Sequence, residues 1–263
     1  MMTLQLQSNG EEGAKAMNQR IKCLNGLQLK ILAMACMVCS HMSNTIFWGR
    51  HWLDCIGRLA FPIFAFLLAE GFRQTKDYKK YLKRLFLFAL VTEFPFNLMS
   101  EGGPLYPFHQ NVLFTFCIAL VAMHQIEKGK DASTPRYVLR VVIVTVIAYL
   151  VGFVTFVDYF GYGVLMVLLF HLFHEKPYGW VVELLAMVYI NWEMIGGLVF
   201  PTILLGREVN IPQQGFAVLA LIPIWLYDGK RGADSKRIQY ACYAFYPAHM
   251  LALWLLLQIQ INF

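Results

Sequence analysis

Long runs of Leu, Ile, Val, Phe and Ala alternate with short polar breaks along this chain. The runs fall at residues 27–48, 55–73, 82–99, 111–126, 137–157, 160–174, 180–205, 214–227 and 239–259. About 20 apolar residues rising 1.5 Å each cross a hydrocarbon layer of roughly 30 Å. The pattern therefore predicts an all-α fold, a polytopic transmembrane helical bundle of about nine to ten spans, the higher number applying if Asn191 and Glu193 split residues 180–205. Pro62, Pro95, Pro201, Pro223 and Pro247 fall inside or at the edges of these runs and predict kinks or breaks.

Composition agrees with a lipid environment: 58% of the 263 residues are hydrophobic and only 14% are charged. The net charge of +6 lies in short segments between apolar runs, not on one basic face, which argues for membrane topology signals and against nucleic acid. The cluster Arg73, Lys76, Lys79, Lys80, Lys83 and Arg84 is the densest, and the positive-inside rule puts it in the cytoplasm. Counting crossings from there makes the N-terminus cytoplasmic in a multi-pass protein of the cell (cytoplasmic) membrane. Residues 1–22 are polar and mixed in charge, and read as a disordered cytoplasmic tail instead of a signal peptide. Residues 23–263 read as one membrane domain, whose oligomeric state is left open, a homo-oligomer included.

The six cysteines sit mostly inside apolar runs, where they act as small hydrophobes, and Cys36-x-x-Cys39 reads as packing. His51, His171 and His174 have no acidic or cysteine neighbour in sequence that completes a metal site, so no metal is expected.

Ionisable groups at bilayer depth are costly and need a partner, a cavity or a task. His41 lies 11 residues beyond Lys30, about 16 Å along a helix, and Glu93 and His249 lie at similar depths from Lys83 and Arg237. His41, Glu93 and His249 are thus candidate catalytic groups in one layer; alternatively the histidines are satisfied core residues and Glu93 pairs with Arg58. Lys30, Glu70, Tyr81, Arg84, Lys230 and Arg231 cluster near cytoplasmic ends, suited to the phosphates of a nucleotide-like donor or to topology alone. Arg58, Asn97, Asn111, Thr115, Asp158 and Tyr159 mark outer span ends, as an acceptor cleft or as helix caps.

The block Ile56-Gly57-Arg58-Leu59-Ala60-Phe61-Pro62 with Glu70-Gly71-Phe72 resembles the signature of the TraX family of membrane acetyltransferases. Tyr81-Leu82-Lys83-Arg84, Pro95-Phe96-Asn97, Gln110-Asn111-Val112, Asp158-Tyr159-Phe160-Gly161 and Tyr246-Pro247-Ala248-His249 are similar to the family's later blocks, in order, over residues 27–255. Lys30 and His41 also reproduce a spacing of the wider acyltransferase 3 group, whose members use acyl-CoA. The chain departs from the TraX pattern at Ser40, where an acidic residue usually precedes the histidine, so a partner for His41 must come from elsewhere.

The resemblance implies an integral membrane acyltransferase. It would move an acyl group from cytoplasmic acyl-CoA, acetyl-CoA foremost, to an unknown amine or hydroxyl acceptor on a peptide, sugar or small metabolite, with His41 as general base or acyl carrier. The alternative is a proton-coupled small-molecule transporter that uses the same His and Glu residues.

Overall fold

A computed structural model describes residues 22–204, 206–233 and 235–262; the tail expected over residues 1–22 lies almost wholly outside them. The elements run α1 (Gly26–Asn44), α2 (His51–Gly57), α3 (Ala60–Gln74), α4 (Tyr78–Ser100), α5 (Val112–Glu127), α6 (Thr134–Val154), α7 (Phe160–Phe173) and α8 (Gly179–Val188). A π-helical segment (Tyr189–Ile195), strands β1 (Val199–Leu204) and β2 (Arg207–Pro212), a 3-10 helix (Gln213–Ala220), α9 (Leu221–Trp225) and α10 (Lys236–Asn262) follow.

Polar residues at the breaks start the helices. Asn25 and Gln28 form a reciprocal capping box on α1, Asp77 accepts from Lys80 N at the start of α4, and Asn111 accepts from Leu113 N at the start of α5. α3 is central, packed against α1, α5, α7 and the 3-10 helix, with Ile63, Phe66 and Ala69 fully buried. α7 is apolar all round and buries Val164, Met166, Val167 and Phe170 at the same core. α6 instead packs one side on α5 and α7 and exposes Val138, Val142, Val146, Leu150 and Val154, the face a lipid-contacting helix presents.

Among the described residues, four helical segments are long and apolar enough to cross a membrane: Gly26–Asn44, His51–Gln74, Thr134–Val154 and Arg237–Ile261. These apolar helices mark a membrane protein. The expectation of nine to ten spans is not supported: Val112–Glu127, Phe160–Phe173 and Gln213–Trp225 are apolar but shorter, and α4 has the length but carries Lys79, Lys80, Lys83, Arg84 and Glu93.

The fold is also mostly, not purely, helical. Residues 180–205 do not form one span: the helix loosens into a π-helical segment at Asn191, stops at Gly196 and Gly197, both at positive φ, and gives way to an antiparallel hairpin pairing Val199 with Pro212 through Leu204 with Arg207. Buried Asn191 donates to Met187 O and accepts from Gln214 Nε2 at 2.9 Å, which ties this wide turn to the 3-10 helix.

α2 lies so close to α1 that a Cβ on Gly57 would collide with the backbone and Cβ of Ser40. Gly57→Ala forces the two helices apart and is expected to cost about 1–3 kcal/mol, read as a lower melting temperature of the detergent-solubilised protein. An unchanged melting temperature would mean that α1 and α2 are not held this tightly.

Candidate active site

The two ends of the described chain meet at a pair of imidazoles. His41, in the last turn of α1, places Nδ1 3.0 Å from Nε2 of His249 in α10, with the rings nearly parallel and their centroids 5.1 Å apart. His249 Nδ1 lies 2.9 Å from Phe245 O, one turn earlier on its own helix. A carbonyl only accepts, so Nδ1 of His249 carries its proton; its Nε2 then accepts, and His41 Nδ1 must donate. The chain of bonds leaves the lone pair of His41 Nε2 as the basic site of the neutral pair. Thr45 Oγ1 donates to His41 O at 2.7 Å and secures the end of α1 beneath the ring.

A cavity of about 570 Å3 lies between α1, α3, α4 and α10; the two imidazoles are not among its lining groups, but their helical neighbours are. Met37, Phe245 and Tyr246 line it, each within about one turn of His41 or His249. Lys30, Glu70, Tyr81, Arg84 and Arg231 also line it, so five of the six donor residues expected from the sequence share one space. Lys230 does not line it and instead holds the rim by accepting from Gly26 N through its backbone. Glu70 is engaged by Arg73 at 3.0 Å and by Gln74 at 2.6 Å, which offsets its charge, and Arg231 Nε donates to Gln74 Oε1. Arg84 stacks over the rings of Tyr81 and Tyr243. One stretch of this cavity is therefore cationic and suits a phosphate-bearing ligand.

The residues expected near the other helix ends form a separate polar layer. Arg58 donates to Asp54 Oδ2 at 2.9 Å and meets the Tyr159 hydroxyl, which in turn meets Gln214. Arg58 thus pairs with Asp54 and not with Glu93. Asp54 Oδ1 accepts from Ser40 Oγ at 2.8 Å, so an acidic group from α2 is bonded to the side chain that precedes His41 in sequence. Glu93 is occupied elsewhere: Oε2 accepts from Asn111 N and Nδ2 at 3.0 and 2.6 Å, and Oε1 from Asn97 at 3.4 Å. This carboxylate closes the N-terminus of α5. Asn111 and Thr115 are fully buried; Asn111 also donates to Ala89 O, and Thr115 to Asp158 O. Tyr246 lies within electrostatic reach of Glu93 and Asp158 and connects this layer to the cavity.

Residue pairs that spacing did not reveal stand near the basic helix ends. His174 meets Glu183, which also accepts from Trp225, and His171 meets Glu127 at 3.0 Å. Both histidines thus find carboxylates on other helices.

Residues 25–257 match the family described as TraX protein. The chain belongs to the TraX family. That match takes in both histidines, the cavity and the polar layer. This TraX protein is also 28% identical over 254 residues to a probable fimbrial assembly protein FimC, serogroup H1, of Dichelobacter nodosus, across 87% of this chain and 94% of that one. No solved structure matches. The relative corrects the functional expectation: it is described as a fimbrial assembly protein, so neither general acyl transfer from acyl-CoA to any amine or hydroxyl nor solute transport is carried over to this TraX protein.

In the loop before α5, His109 sits 2.8 Å from Glu101 and 3.8 Å from Asp158. The nearby Asp158 carboxylate first, and the hydrogen bond to Glu101, raise its pKa from 6.5 to about 9 against the opposing effect of burial. The folded protein holds this proton more tightly than the unfolded chain. The clasp's contribution to stability is therefore complete below 6.5 and disappears as pH rises through about 9. A melting-temperature profile should fall over that window and lose this component in His109→Gln; an identical profile in the variant would show that the clasp does not form.

Proposed function

We propose that this TraX protein serves the assembly of a surface fimbria by acetylating the fimbrial subunit at the membrane. The observation that carries the reading is the hydrogen-bonded histidine pair, one helical turn from residues that line a cavity with a cationic stretch, in a chain related to a fimbrial assembly protein. Lys30, Arg84 and Arg231 suit the phosphates of an acetyl donor, and acetyl-CoA is the donor proposed. In this reading His41 Nε2 takes the proton from the subunit's amine as its nitrogen attacks the thioester carbonyl. The new C–N bond forms, the C–S bond breaks, and the thiolate leaves to be protonated. His249 holds the His41 ring in the tautomer that presents that lone pair.

In this reading the donor enters from the basic end of the bundle, which the positive-inside rule assigns to the cytoplasmic face of the membrane.

Two measurements test the reading. Mass spectrometry of the fimbrial subunit from cells carrying His41→Ala should show acetylation reduced by about 100-fold or more, while the variant keeps its melting temperature; wild-type acetylation would end the catalytic assignment. Calorimetry with acetyl-CoA should show binding weakened by at least about tenfold in Arg84→Ala/Arg231→Ala, and unchanged affinity would remove the donor from this cavity.

A further inference from the structure

The first turns of α4 separate two surfaces. Tyr81 and Arg84 line the central cavity, whereas Lys79 and Lys83, one turn apart, line a separate open groove of about 450 Å3 between α4 and α5. The walls of the groove are apolar: Leu82 and Phe86 from α4, Ile118 and Val121 from α5. Phe86 and Val121 are exposed, and the stripe that starts at Lys79 and Lys83 continues through Phe86 to exposed Leu90 at helical spacing.

Lysines at a helix end are ordinary topology signals. The concave apolar wall running away from them is not explained that way. Two ammonium groups at the head of a trough that faces outward from the bundle complement one class of molecule, an amphiphile with an anionic head and a hydrocarbon tail. The N-terminal end of α4 adds its own partial positive charge at the same level. We propose that this groove holds an anionic phospholipid, with the phosphate between Lys79 and Lys83 and an acyl chain along Leu82, Phe86, Ile118 and Val121. Because Tyr81 and Arg84 belong to the same turns, the bound lipid also steadies the cavity wall. The site does not depend on which reaction the cavity supports.

Native mass spectrometry tests this on the full chain released from nanodiscs of phosphatidylcholine containing phosphatidylglycerol. Wild-type protein should retain phosphatidylglycerol over phosphatidylcholine by about tenfold or more, and Lys79→Gln/Lys83→Gln should lose most of that preference. Lys128→Gln/Arg136→Gln, at other basic helix ends, should keep it. The single variants run alongside, each losing part of the preference, so the comparison stands even if the double variant misfolds. Equal retention of the two lipids by the wild type, or an unchanged preference in the Lys79 and Lys83 variants, would overturn the site.

Discussion

The hydrogen bond between His41 and His249 is the constraint around which the site is arranged. It joins helices 208 residues apart in sequence, and it works only if each ring adopts one tautomer. The Phe245 carbonyl fixes the tautomer of His249, which fixes that of His41. Because α10 otherwise packs mainly on α4, this contact also ties α10 to α1, two helices that both line the cavity. Separating the rings would leave an imidazole nitrogen of buried His249 without its partner, which costs about 1–3 kcal/mol.

Around that bond the molecule keeps two kinds of polar chemistry apart. The basic helix ends bring Lys30, Arg84 and Arg231 to the cavity, and clamp themselves with Glu70–Arg73, Glu127–His171 and Glu183–His174. The other helix ends hold the carboxylates Asp54, Glu93 and Asp158 in bonds to Arg58, Asn111 and His109. The cationic groups that line the cavity are thus kept apart from carboxylates that each already have a partner.

Much of this was legible in the sequence because helices are regular. Counting 1.5 Å per residue from Lys30 and from Arg237 put His41 and His249 in one layer, and there they touch. The same arithmetic put Glu93 beside them, but depth says nothing about azimuth. Its carboxylate turns toward Asn97 and Asn111, where the free N–H groups at the start of α5 hold it. Asp54 was missed for the converse reason: it lies in a short helix after a break, and only the close approach allowed by Gly57 brings it to Ser40. Residues 180–205 misled through hydropathy alone. Val199, Phe200 and Ile203 count as apolar in any window, whereas Gly196, Gly197 and the β-branched run after them are the signal for a hairpin.

The basic site on His41 depends on the tautomers of two rings, which nitrogen-15 chemical shifts of histidine-labelled protein read directly, with His→Gln variants for assignment. At a pH where both rings are neutral, His41 and His249 should each show a protonated Nδ1 and an unprotonated Nε2. A protonated Nε2 on either ring would contradict the bond between them and with it the assignment of the basic site.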